Sequence, residues 1–130
     1  MLIRYTLGKE EKLKGRKLIE QLFAEGKRVK SFPIQLIYFK NLLEIEATVK
    51  VGFSVPKRNI KLAIHRNRIK RVLREVYRKN KHIFSSQLKE PYVFMFIYMA
   101  KEEIKYDELE LAIIKLCDKF LTKINEDEQN

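Results

Sequence analysis

Apolar positions along the chain change period several times, and each change marks an element. In residues 16–25, RKLIEQLFAE, the side chains Leu18, Ile19, Leu22 and Phe23 fall at i, i+3, i+4 spacing, which predicts a short helix with Gly26 standing where a C′ residue belongs. Residues 32–39, FPIQLIYF, are rich in aromatic and branched side chains, and Pro33 near the start points to the beginning of a strand or to an edge. Residues 44–54 alternate Ile45, Ala47, Val49, Val51 and Phe53 with Glu46, Thr48, Lys50 and Gly52, the pattern of a half-buried strand. The two runs read as an antiparallel hairpin turning around residues 40–43. Pro56 ends the second strand because it cannot donate to a ladder.

From about Leu62 to Asn80, Ile69, Val72, Leu73, Val76 and Tyr77 form one narrow stripe at helical spacing. Residues 92–99, YVFMFIYM, are apolar on both faces of a period-two pattern, so this strand is expected at the centre of the sheet and covered on both sides. A last helix from about Tyr106 to Ile124 carries Leu109, Ala112, Ile113, Leu116, Cys117, Phe120 and Ile124 on one stripe, and the polar residues 125–130 are expected to fray. Cys117 lies within that stripe and reads as core filler, not as a nucleophile. There is no internal repeat and no low-complexity stretch. Residues 1–130 read as one domain, long enough to bury a core without disulfides or metal staples.

Charge changes this picture through its placement. The chain carries a formal +11, and residues 50–81 alone hold twelve Lys or Arg against a single acid, Glu75, so that segment equals the whole excess. A cation field this concentrated calls for a polyanion. A membrane partner is not expected, because a helix lying on a bilayer has no separate core to bury its apolar face. The longest apolar run, residues 92–100, is also about half of what a spanning helix needs. Met1-Leu2-Ile3-Arg4-Tyr5 lacks the apolar core of a secretory signal, and one cysteine cannot build a disulfide framework, so a cytoplasmic location is expected.

Within the basic segment, Arg66-Asn67-Arg68-Ile69-Lys70-Arg71 opens the helix. On a helical wheel Asn67, Lys70, Arg71, Arg74 and Arg78 cluster opposite the apolar stripe, with Arg66 and Arg68 flanking it. A merely solvated face normally mixes Glu with Lys four apart. Here Arg66 and Lys70, Lys70 and Arg74, and Arg74 and Arg78 repel instead, a local cost that phosphates would reverse. Arginine outnumbers lysine on the helix, which suits bidentate phosphate forks and base stacking. The element before the helix is a strand, so no helix-turn-helix forms and DNA is not the expected partner. RNA, met through phosphates, 2′-hydroxyls and bases stacked on aromatics, is the better match. No independent catalytic site assembles: His65 and His82 lie in or beside the basic segment, and no metal-ligand, Ser-centred or Gly-rich phosphate motif is present. His65 reads as a phosphate contact at the helix start in preference to a general base. The acids Glu102, Glu103, Asp107, Glu108 and Glu110 read as complements to the dipole of the last helix.

In order along the chain stand Lys12-Leu13, Leu22-Phe23-Ala24-Glu25-Gly26, Val51-Gly52-Phe53-Ser54-Val55, Lys57-Arg58, residues 63–71 with their Arg66-Asn67-Arg68 block, and Leu73-Arg74-Glu75. This series resembles the protein subunit of bacterial ribonuclease P over most of the chain. Two positions depart from that family's pattern: Ile19 where Phe is usual, and Lys61 where Gly is usual, in a loop one residue longer. The resemblance implies an α+β fold, a two-layer α/β sandwich with a roughly four-stranded, mostly antiparallel sheet like the second domain of ribosomal protein S5. It also implies a left-handed βαβ crossover through the basic helix, where general handedness favours the right. In that family the RNA subunit, with bound Mg2+, removes the 5′ leader of precursor tRNA, and the protein supplies no catalytic residue. By similarity Arg66, Asn67, Arg68, Lys70, Arg71, Arg74 and Arg78 would meet the catalytic RNA. A cleft between the sheet, the first helix and the basic helix would hold the leader, through Phe23, one of Ile37 or Tyr38, and Lys57 and Arg58 at the loop. Core roles for Phe23 and Tyr38 stand beside that reading, and strand register decides between Ile37 and Tyr38. The competing functions are a structural RNA-binding protein and a self-sufficient nuclease.

Overall fold

The structure, a computed structural model, describes residues 16–41, 49–88 and 90–129. Residues 1–5, Lys12-Leu13, the Leu42-Leu43 part of the expected turn and the first part of the strand expected from Glu44 lie outside them. The elements run α1 (Arg16–Glu25), β1 (Lys27–Ser31), β2 (Ile34–Lys40), β3 (Lys50–Ser54), α2 (Ala63–Ser85), β4 (Tyr92–Tyr98) and α3 (Tyr106–Gln129). They build one four-stranded sheet in the order β1-β2-β4-β3. β4 is buried along its whole length, as its two apolar faces require.

The hairpin expected between residues 32–39 and 44–54 does not form. β2 pairs antiparallel with β1 on one side and with β4 on the other, while β3, among the described residues, pairs only with β4, in parallel, after a crossover through α2. β4 is apolar on both faces and so excludes most water as a central strand, whereas the amphipathic β3 tolerates an edge. β1 has no counterpart among the expected elements because KRVKS turns only Val29 and Ser31 inward, too short and too cationic a segment to show alternation. Pro33 does precede a strand: the β1–β2 turn is Phe32-Pro33, and β2 starts at Ile34.

Side-chain alternation in the sheet separates two cores. On one face Leu36, Tyr38, Phe94, Phe96 and Tyr98 pack beneath α2 and α3, which contribute Ile69, Leu73, Tyr77, Phe84, Leu116 and Phe120. On the other, Ile37, Val93, Met95 and Ile97 pack with Leu22 of α1. α2 continues past Asn80 to Ser85, because Phe84 inserts fully into the first core. α3 likewise runs through the segment expected to fray. Lys119 Nζ donates to the Lys30 carbonyl at 2.7 Å, Lys123 Nζ to that of Arg28 at 3.3 Å, and Lys27 pairs with Asp127 at 2.7 Å, lacing the helix to β1. Gly26 closes α1 by donating its N–H to the Leu22 carbonyl at 2.8 Å, but without a left-handed backbone. Its requirement is space: a Cβ there would stand 2.5 Å from Ile37 Cγ2 and would also collide with the Leu22 carbonyl oxygen.

Candidate nucleic-acid interface

Two loops frame the start of α2, and both are fastened to the end of β4. In the loop after β3, the Pro56 carbonyl accepts the N–H groups of Asn59 at 3.0 Å and Ile60 at 3.1 Å, and Asn59 Nδ2 donates to the Tyr98 carbonyl at 3.1 Å. The Tyr98 hydroxyl donates to the Glu102 carbonyl and accepts the Ile104 N–H at 3.0 Å, which sets the loop between β4 and α3. Burial raises the Tyr98 phenol above its usual pKa, so it stays a donor. Between the loops opens a groove of about 780 Å³ lined by Arg58, Lys61, Leu62, His65, Arg68, Lys101, Glu102 and Glu103.

The cations expected at the interface divide by environment. Arg66 Nη1 donates to the carbonyls of Ile60 at 3.0 Å and Lys61 at 2.6 Å, so this guanidinium braces the loop in front of its own helix. Arg68 Nη1 donates to Glu103 Oε1 at 3.2 Å, and His65 Nδ1 lies 3.1 Å from the same oxygen. Glu103 therefore complements α2 across the groove; Asp107 and Glu108 do occupy the first turn of α3. Glu110, within α3, accepts from Asn80 Nδ2 at 3.0 Å.

Farther along, Arg74 lies over the ring of Phe53 on edge strand β3, 5.9 Å from its centroid, and Phe53 stacks in turn on Phe96. Arg78 forks onto Glu75, with Nη2 2.5 Å from Oε1 and Nε 3.0 Å from Oε2, and this contact holds the carboxyl below its usual pKa. Arg78 thus differs from the rest of the expected set, being matched by an acid of its own helix. Asn67 and Arg71 are exposed and Lys70 is half-buried; among the described residues none of the three makes an ion pair or side-chain hydrogen bond. These three are the open part of the basic face.

Register places the residues expected at the leader cleft on different faces of the sheet. Tyr38 faces the α3 layer, its ring 4.8 Å edge-on from that of Phe120, and is removed from the α1 side by the strand period of two. Ile37 is on the α1 side but fully buried, so it forms the floor beneath the helix. Phe23 is 45% exposed on α1, and Lys57 and Arg58 are exposed on the loop. Because α1 and α2 cover opposite faces, the sheet stands between Phe23 and the α2 cations, and the single cleft expected from α1, sheet and α2 is not one continuous face.

Among the described residues no three His, Cys, Asp or Glu side chains come together to hold a metal ion, and no helix is long and apolar enough to cross a membrane. Burial pushes the Cys117 thiol up to about 12, leaving it an inert part of the core. The roles of Glu103, Arg66 and Tyr98 are not visible in the sequence. Their local signals are a carboxylate beside a helix start, one more cation in a run, and one more aromatic in a strand.

Comparison with known proteins identifies the family and the fold. Residues 7–121 match the family described as Ribonuclease P. The ribonuclease P protein component of Porphyromonas gingivalis is 34% identical over 93 residues, which cover 72% of this chain and 68% of that protein. That of Chlorobium phaeobacteroides is 39% identical over 79 residues, 58% of this chain and 54% of that one. The fold is that of the ribonuclease P protein from Thermotoga maritima, with a TM-score of 0.68 at 22% identity over 84% of this chain and 96% of that one. The protein from Staphylococcus aureus gives the same score at 18% identity, covering 83% and 93%.

Proposed function

The chain belongs to the family of ribonuclease P protein components, which serve tRNA processing, and from that premise we propose that it binds the catalytic RNA and the 5′ leader of precursor tRNA in the cytoplasm while the RNA performs the cleavage. The observation that carries this reading is the open cation set on α2. Lys70 and Arg71 project from a helix whose other face is locked into the core by Ile69, Leu73, Val76 and Tyr77, so their charge is held at a fixed place and orientation. A guanidinium there donates two parallel N–H bonds to one phosphate, and Asn67 beside it can both donate and accept. Arg68, Arg74 and the loop cations Lys57 and Arg58 extend the same positive surface. Phe23, on the other side of the sheet, offers a ring on which a base of single-stranded leader can stack.

The chain's own groups supply binding and charge neutralisation. His65, the histidine that lines the groove, is turned toward Glu103. Among the described residues no three His, Cys, Asp or Glu side chains gather to hold a metal ion, and this reading gives the magnesium to the RNA partner, whose phosphates are its ordinary ligands. By neutralising phosphates that would otherwise need cations, the protein lowers the magnesium concentration at which the RNA works. The decisive experiment is reconstitution. The purified protein is expected to leave precursor tRNA uncut, and with a bacterial ribonuclease P RNA it should yield the matured 5′ end at lower magnesium than the RNA alone needs. Cleavage by the protein alone would make it a nuclease in its own right. Binding without any effect on cleavage would leave a structural RNA-binding protein.

A further inference from the structure

Glu103 stands where the surrounding charge predicts an anion from outside the chain. It belongs to the loop between β4 and α3, which the Tyr98 hydroxyl fastens on both sides of it, through the Glu102 carbonyl and the Ile104 N–H. From there its carboxylate reaches across the groove to α2. Arg68 Nη1 lies 3.2 Å from Oε1 and 3.5 Å from Oε2, and His65 Nδ1 lies 3.1 Å from Oε1. His65 and Arg68 are three residues apart and therefore share one flank of the helix. The carboxylate holds against them the two oxygens that a phosphate would present.

We propose that Glu103 is an internal competitor of RNA: in the free protein it occupies the position that a backbone phosphate takes on Arg68 and His65, and RNA must displace it to use that flank of α2. This rests on α2 being the RNA-binding face. The contact is suited to displacement. All three side chains are between two-fifths and three-fifths exposed, and an ion pair so open to solvent is weak and salt-sensitive. A phosphate joined to a polyanion brings further contacts at Lys70 and Arg71 that a lone carboxylate does not.

The test is binding of the full-length protein to a bacterial ribonuclease P RNA at fixed magnesium over a range of KCl. Glu103→Gln keeps the side chain's size and removes its charge. It should tighten binding about two- to fivefold at low salt, and it should steepen the dependence of log affinity on log salt by up to about one. Glu102→Gln removes the same charge one residue away without freeing Arg68, and should do less. In an Arg68→Ala background the gain from Glu103→Gln should shrink to that of Glu102→Gln. Weaker binding by Glu103→Gln would make Glu103 a positioning residue for Arg68 and overturn the proposal. A gain equal to that of Glu102→Gln, or one that persists without Arg68, would reduce it to net charge and overturn it as well. Failure of the unaltered protein to bind this RNA would overturn the reading of α2 itself, an outcome distinct from these.

Discussion

Among the described residues the buried Tyr38 hydroxyl has no hydrogen-bond partner, and the residue is 2% exposed. An unmet buried donor is a cost that phenylalanine avoids, so Tyr38→Phe should raise stability by about 1 kcal/mol in thermal or urea unfolding. Burial, with smaller contributions from Asp127 and Tyr92, pushes this phenol up to about 12. Since the unfolded chain ionises it near pH 10, its neutral form contributes stability below that pH, and the contribution is lost as pH rises through 12. Tyr38→Phe should therefore flatten the alkaline fall in stability between those limits. Cys117, raised by burial from its ordinary 9 to about 12, acts in the same direction from lower pH, and Cys117→Ala should flatten the earlier part. Gly26→Ala tests the opposite case, a missing atom with no room to be restored. Collision with Ile37 and the Leu22 carbonyl should cost about 1–3 kcal/mol. An unchanged melting temperature would show that α1 can shift on the sheet.

At the scale of the element, α2 separates cations left open to solvent from cations that hold the fold. Replacing Lys70 and Arg71 together by Ala removes two open charges. RNA affinity should fall and the salt slope should flatten by about 0.7–0.9 for each phosphate that is no longer neutralised, with stability changed by less than about 0.5 kcal/mol. Arg66→Ala should differ in kind. It removes a guanidinium that ties the carbonyls of Ile60 and Lys61, so it should also lower stability by about 1 kcal/mol. Circular dichroism melts beside salt-dependent RNA binding separate the two, and equal effects on folding would contradict the brace. The helix, its buried stripe and its basic face were legible in the sequence because all three are repeats within a few residues. The division among Arg66, Arg68 and Arg71 was not, since it depends on which loop each side chain meets.

For the whole molecule, the same charge acts with opposite sign on folding and on binding. Arg66, Lys70 and Arg74 repel along α2 in the free protein, so raising KCl from low to moderate concentration should raise the melting temperature while weakening RNA association steeply. A melting temperature that falls with KCl would show that attractive pairs such as Lys27–Asp127 and Arg68–Glu103 outweigh the repulsion. From the residues alone came the types of α1, β2, α2, β4 and α3, the central place of β4, the core position of Cys117 and the concentration of cations between Lys50 and Lys81. Each is a property of neighbouring residues or of composition, and propensity and hydrophobic period act over that range. The tertiary structure alone decided that β2 lies between β1 and β4, and that Ile37 and not Tyr38 turns toward α1. It also decided that Glu103 meets His65 and Arg68, a contact spanning 38 positions in the chain for His65. Such choices follow from which pairing of elements buries both faces of β4 and satisfies the loop carbonyls, a competition among distant segments that no local pattern encodes.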